Sequence, residues 1–189
     1  PVSKTQKIMA KQDFGFKPED KVFLVLGRNF SRKRHFRLIE AVALLKSRTE
    51  IDIKYLCHIS EYDNDPQSML KFITRMELKY DVDLSCFKFT KKHKLGRGEK
   101  DEFIHSLFNA ADYYISATSG EGFGLPTIEA MASGMPVVTT RGEPWIEFPA
   151  IRRSDSTVTN THVKRPMLWH EPSAENLVDI CKRLLGTNI

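Results

Sequence analysis

Val22-Phe23-Leu24-Val25-Leu26-Gly27, followed by Arg28-Asn29-Phe30-Ser31-Arg32-Lys33-Arg34-His35 and then by Leu38, Ile39, Val42 and Leu45, decides the fold. An unbroken apolar run ending at a glycine is how a strand reads when helices cover both of its faces. From Leu38 the apolar spacing changes to 3.6, with Glu40, Lys46 and Arg48 off the stripe, which is the pattern of an amphipathic helix. Strand, basic loop and helix form half of a crossover unit.

The same alternation extends outward. Lys4 to Phe14 predicts a short helix through Ile8, Met9 and Phe14, punctuated by Gly15 and Pro18. Downstream, Ile51, Ile53, Tyr55, Cys57 and Ile59 alternate as a strand, and Leu70, Ile73, Met76 and Leu78 predict a helix after Pro66. A weaker strand falls around Ser85 to Thr90, then a helical stripe through Phe103, Ile104, Leu107, Phe108 and Ala111, then the short run Tyr113-Tyr114-Ile115. A glycine turn leads into a helix from about Pro126 to Ser133, Pro136 to Thr139 resumes as strand, and Ser173 caps a last helix carrying Leu177, Cys181 and Leu184. Strands alternating with helices predict an α/β fold: a Rossmann-like parallel sheet with helices on both faces, a single domain over residues 1–189, its ligands beyond the carboxyl ends of the strands.

Composition agrees with one ordinary core. Of 189 residues 41% are hydrophobic and 28% charged, and 29 Lys and Arg against 24 Asp and Glu leave +5. That excludes wholesale disorder and a disulfide-stapled miniature. Cys57, Cys86 and Cys181 are scattered, one is left over, and no pair has metal-ligand spacing, so a reducing compartment is expected. No apolar run approaches the ~18 residues of a bilayer span, and Pro1-Val2-Ser3-Lys4 carries no apolar signal. The start without Met predicts an excised domain or a processed product.

Two constellations carry chemistry. Arg28, Arg32, Lys33, Arg34 and Arg37 lie between a buried strand and the start of its helix, where cations oppose the helix dipole by about 0.3–1 kcal/mol each when they are not fully solvated. An anion removes the conflict, and phosphate suits both the forked Arg and the point-charge Lys; a solvated basic turn is the plainer alternative. A nucleotide-triphosphate loop is excluded, because the glycine-rich cradle with its closing Gly-Lys-Ser or Gly-Lys-Thr is missing. The second constellation runs from Glu121 through Gly122, Phe123, Gly124 and Leu125 to Glu129. Its glycines let backbone approach a ligand at a helix start. Carboxylates there accept from sugar or ribose hydroxyls through charge-assisted hydrogen bonds worth about 1.5–3 kcal/mol, the plainer alternative being an ordinary glycine turn and helix. Together the two ask for a ligand with an anionic middle and hydroxyl-rich ends.

The stretch Glu121-Gly-Phe-Gly-Leu-Pro-Thr-Ile-Glu129-Ala-Met-Ala-Ser-Gly134-Met-Pro136-Val-Val138 resembles nearly the whole signature of the nucleotide-sugar-binding C-terminal domain of retaining GT-B glycosyltransferases, in glycosyltransferase family 4. Gly27-Arg28 followed by Lys33, Leu95-Gly96 before Glu99, and Ala111-Asp112 before the short strand match in order, and the similarity runs from Phe14 to Leu185. The resemblance implies that Gly27, Arg28 and Lys33 contact the donor diphosphate, that Glu129 accepts from the ribose, and that Glu121 faces the transferred sugar. Backbone at Gly122, Phe123, Gly124 and Leu125 completes those contacts, and Leu95, in the loop from Lys94 to Arg97, lies near the base. Arg28, Lys33 and Glu121 are the implied catalytic groups. Transfer with retention to an acceptor hydroxyl follows from the family, with no metal and no cofactor. An N-terminal acceptor-binding domain of the same enzyme is implied as partner, the isolated domain transferring little or no sugar. The expected location is cytoplasmic, or peripheral at a membrane in the full-length enzyme.

After Thr140 the chain departs from the family, with Arg141-Gly142-Glu143-Pro144-Trp145-Ile146-Glu147 in place of paired glycines and a Pro-Glu step. Glu147 therefore receives no sugar-contact role, and Arg152 to Asp155 read as an exposed connection. A nucleic-acid-binding module explains the net charge, the Arg28 to Arg37 run and Lys91-Lys92-His93-Lys94, but leaves Glu121 and Glu129 without a purpose. A related epimerase or phosphorylase, and a catalytically inactive lectin-like or scaffold descendant, share the architecture. The histidines form no catalytic set: His35 reads as a helix-surface residue and His58 as ordinary strand packing, and zinc and calcium signatures are lacking.

Overall fold

The computed structural model describes residues 2–60, 66–90, 99–140, 151–154, 156–160 and 168–186. In chain order the elements are α1 (Lys4–Asp13), β1 (Lys21–Arg28), α2 (His35–Arg48), β2 (Ile53–Ser60), α3 (Pro66–Tyr80), β3 (Phe87–Phe89) and α4 (Asp101–Ala110). They continue with β4 (Tyr113–Ser116), α5 (Leu125–Ala132), β5 (Val137–Thr140), β6 (Ile151–Ser154), β7 (Ser156–Asn160), β8 (Leu168–Pro172) and α6 (Ala174–Leu184).

Six strands form one sheet in the order β3-β2-β1-β4-β5-β6, every neighbouring pair parallel. β7 and β8 make a separate antiparallel pair. This is the α/β sheet expected from the sequence, and its order is that of a Rossmann fold. The apolar run of β1 alternates between two cores. Phe23 and Val25 join Leu38, Val42 and Leu45 of α2 and Leu177, Val178 and Cys181 of α6 on one face, whereas Val22 and Leu24 join Leu107 and Phe108 of α4 and Ala130 of α5 on the other. A strand buried on both sides has no room for a polar residue, which is why this segment is so legible.

Two helical stripes and one connection differ in detail. Met9 is 59% exposed, and α1 instead packs through Ala10 and Phe14, the latter edge-on to Phe103 with ring centroids 6.3 Å apart. On α3 the buried residues are Met69, Ile73 and Met76, while Leu70 and Leu78 face solvent. The side selected is the one that meets the sheet, and apolar identity alone does not reveal it. Arg152, Arg153 and Ser154, read with Asp155 as an exposed connection, belong instead to the edge strand β6, in register with Val138, Thr139 and Thr140 of β5.

Asp112 anchors one end of the sheet. Its carboxylate accepts from the Val22 backbone N–H at 2.9 Å and pairs with Lys11 at 2.8 Å and Lys7 at 2.9 Å, so a single residue before β4 fixes the start of β1 and docks α1. Lys11, 4% exposed, also donates to the Asp20 carbonyl at 2.6 Å.

Candidate functional site

From β1 the chain steps to β2 and β3 on one side and, through β4, to β5 and β6 on the other. The carboxyl ends of β1 and β4 therefore flank the point where the strand order reverses, which is where open α/β sheets bind their ligands. β1 pairs with β2 along its whole length but with β4 only at Phe23 and Leu24, so the sheet opens on that side beyond Leu24. Both constellations singled out in the sequence flank this opening, the basic one in the loop after β1 and the acidic one in the loop after β4.

The two loops clasp each other. The Arg32 carbonyl accepts from the Ser119 N–H at 2.7 Å and from its hydroxyl at 2.9 Å. The Arg32 guanidinium donates to the Gly120 carbonyl at 2.8 Å and to Glu121 Oε2 at 2.7 Å. Lys33 Nζ pairs with Glu121 Oε1, and Thr118 Oγ1 donates to the same oxygen at 3.2 Å. The side chains of Lys33 and Glu121 are 9% and 8% exposed. Burial pushes the Glu121 carboxyl up, but the hydrogen bonds and charges of Lys33 and Arg32 outweigh it and hold it below the usual carboxylate range. The anion that the basic turn demands is therefore supplied from within, by Glu121.

Backbone geometry shapes the basic turn. Gly27 has φ +147°, and the Lys33 side chain lies 3.5 Å from where a Cβ there would sit. Ser31–Lys33 form one 3-10 turn, Arg34 takes a left-handed conformation with φ 51°, and α2 starts at His35 with no side chain capping it. Arg28, at the end of β1, is exposed, with its guanidinium carbon 5.5 Å from the Phe30 ring centroid.

His35 is buried, 6% exposed, not a surface residue, and its Nε2 lies 3.0 Å from the Arg28 carbonyl. It sits on the Leu38–Ile39 stripe one turn earlier, so the periodicity contained this signal. Burial lowers its pKa to about 4 against the bond to Arg28, and Lys33 adds to the lowering, so the ring is neutral at pH 7 and donates to that carbonyl. The unfolded chain binds a proton here that the folded one refuses, so stability present above the ordinary pKa of 6.5 falls as pH drops toward about 4. The loss attributable to His35 is about 3 kcal/mol over that window, read as urea midpoints of the wild type against His35→Gln, whose slope with pH should be correspondingly shallower.

On the acidic side, Gly124 has φ +76° and accepts from the Thr127 N–H at 3.0 Å; α5 starts at Leu125 with Pro126 in its first turn and no side-chain cap. Gly122, Phe123 and Leu125 are exposed, and Gly124 is buried. Glu129 is also exposed and lines an open cleft of about 350 Å³ with Asp101, Ile104, His105 and Phe108 of α4. Buried Tyr114 feels both glutamates: burial raises its hydroxyl pKa, Thr127 and Ser116 oppose that through hydrogen bonds, and the charges of Glu121 and Glu129 raise it further. Leu95, the Lys94 to Arg97 loop, the Lys91 to Lys94 run and Glu147 lie outside the described residues.

Sequence reasoning placed Arg32 in the basic turn but missed Ser119, Thr118 and the bonds from Arg32 to the second loop, because those bonds join residues nearly ninety positions apart and leave no local signal. His58 bonds Thr90 Oγ1 at 2.9 Å, as a structural histidine does. Among the described residues no cluster of three or more His, Cys, Asp or Glu is arranged to hold a metal ion, and no helix is long and apolar enough to cross a membrane.

Residues 6–148 match the family described as glycosyl transferases group 1. The chain belongs to this family. It is 30% identical over 150 residues to mannosylfructose-phosphate synthase of Agrobacterium fabrum, a match covering 74% of this chain and 29% of that enzyme. It is 26% identical over 113 residues to the GDP-mannose:cellobiosyl-diphosphopolyprenol alpha-mannosyltransferase of Xanthomonas oryzae pv. oryzae, covering 59% and 27%. The C-terminal domain of the group 1 family glycosyl transferase LpcC from Francisella tularensis has a similar fold, with a TM-score of 0.63 at 21% identity over 98% of this chain and 88% of that one. WaaG, a glycosyltransferase involved in lipopolysaccharide biosynthesis, gives a TM-score of 0.70 at 18% identity over 98% and 43%. Fold and family together make this a glycosyltransferase domain of the GT-B type. The chain spans less than a third of each curated relative's length.

Proposed function

We propose that this group 1 glycosyl transferase domain is the nucleotide-sugar-binding half of a family 4 enzyme that transfers a sugar, with retention, from a nucleoside diphosphate to an acceptor hydroxyl. The observation that carries the reading is the meeting of Lys33 and Glu121 across the opening between β1 and β4. Arg28 and Lys33 hold the diphosphate beside Gly27, Glu121 faces the transferred sugar, and Glu129 accepts from the ribose. Backbone amides from Gly122 to Leu125, leading into the uncapped start of α5, complete the cradle.

The chemistry follows from charge. As the bond from the anomeric carbon to the diphosphate breaks, negative charge grows on the leaving group and positive charge on the sugar. Arg28, Lys33 and the helix start stabilise the first if they bind it better in the transition state than in the donor. The proposal assigns this neutralisation to protein cations. It also assigns the acceptor site to a separate N-terminal domain, so the chain by itself binds donor and transfers little sugar. The proposed setting is the cytoplasm or the membrane periphery. A nucleic-acid reading is less economical, because a phosphodiester backbone leaves the carboxylates of Glu121 and Glu129 without a purpose.

Hydrogen exchange tests the location. Saturating UDP-, GDP- or ADP-sugar is expected to slow exchange at Arg28–Lys33 and at Gly122–Glu129 together. Protection confined to other segments with the sugar nucleotide that binds tightest overturns the assignment.

A further inference from the structure

The resemblance assigns no contact to Arg32, unlike Arg28 and Lys33, yet Arg32 joins both loops at the switch point. Its carbonyl is clasped by Ser119, its Nη1 bonds both Gly120 O and Glu121 Oε2, and its guanidinium carbon lies 6.0 Å from the Phe30 ring centroid. Lys33 reaches the other carboxylate oxygen with one ammonium at the end of a flexible stem laid over Gly27. Glu121 is thus shared by two cations that are held very differently. A guanidinium whose Nη1 is fixed by two acceptors, on a residue whose carbonyl is clasped by Ser119, yields less readily than a point charge on four rotatable carbons.

We propose that Arg32 is the standing counter-ion of Glu121 and Lys33 the exchangeable one. An incoming diphosphate draws Lys33 off Oε1, while Arg32 keeps the carboxylate charged and in place. Arg32 is therefore a positioning residue, and Glu121 is a built-in competitor that the diphosphate must displace from Lys33. The inference rests on the donor reading above. It departs from that reading in one respect: neutralising Glu121 strengthens diphosphate binding, although Glu121 belongs to the site.

Calorimetry on the 189-residue chain with UDP, GDP and ADP, the tightest binder carried forward, forms the test. Glu121→Gln is expected to bind that diphosphate about tenfold tighter than the wild type, and Arg32→Gln about tenfold more weakly, because Glu121 then keeps Lys33 for itself. Arg32→Lys keeps the charge but not the planar group, so it should fall between the wild type and Arg32→Gln. In the Glu121→Gln background, Arg32→Gln should change nothing, even where a thermal melt records lost stability. Equal weakening by Arg32→Gln in both backgrounds overturns the exchange, since it marks a direct phosphate contact or general damage, and so does a Glu121→Gln chain that binds no tighter. If no diphosphate binds, or if Lys33→Ala leaves binding unchanged, the donor reading itself fails and the exchange with it. If binding depends on Lys33 but the two substitutions do not couple, the exchange alone fails.

Discussion

Asp112→Ala is expected to lower global stability by about 3–5 kcal/mol, the range for removing one partner from a buried ion pair. Three groups lose an acceptor at once: the Val22 N–H, the buried Lys11 and the half-exposed Lys7. Lys11 keeps its bond to the Asp20 carbonyl but not its counter-charge, and an ammonium left unpaired in the interior is costly. Burial pushes the Asp112 carboxyl up, yet the bonds from Lys11, Val22 and Lys7 outweigh it and hold its pKa below the usual value. Because the folded-state pKa is the lower one, this contribution is full above the ordinary carboxylate pKa and is lost as pH falls through the depressed value. Asp112→Asn keeps an oxygen for Val22 and should fall between the wild type and Asp112→Ala. Urea unfolding at neutral pH decides the matter, and a loss under about 1 kcal/mol for the Ala variant contradicts this account of how α1 and β1 are joined.

Much of this architecture is written into local sequence. The β1 run is legible because both its faces are covered, and α2 because four apolar residues fall on one stripe. Ser173 is read correctly as a cap, accepting from the Asn176 N–H at 3.2 Å. The errors share a cause. Met9, Leu70 and Leu78 are apolar residues at plausible helical spacings, but which flank of a helix meets the sheet depends on packing that no short window contains. Ile151–Ser154 lack a strong strand pattern because an edge strand need not be apolar on both faces.

The two charged loops of the candidate site were legible in the sequence, but their wiring was not. Cations crowded before α2 violate a local rule, and such violations point toward function. What the chain order hides is that Glu121 already answers two of those cations, and that Arg32 stitches the two loops together through backbone as well as side chain. His35 shows the converse: its position on the α2 stripe announced burial, and the adjacent charges disguised it.

The central claim is that the loop after β1 grips phosphate with Lys33 and Arg28 at the point where the strand order reverses. Lys33→Ala removes a buried charge-assisted contact and leaves Glu121 with Arg32 and Thr118, so the fold is retained while the phosphate partner is lost. A contact of that kind is worth about 1.5–3 kcal/mol, which is about tenfold to a hundredfold in affinity. Arg28→Ala should act in the same direction but by less, because Arg28 is exposed. The direct measurement is calorimetry of Lys33→Ala with a nucleoside diphosphate and with the matching free nucleoside. The diphosphate should bind about thirtyfold more weakly than to the wild type while the nucleoside is unaffected; equal losses for both ligands, or no loss for either, would contradict the account.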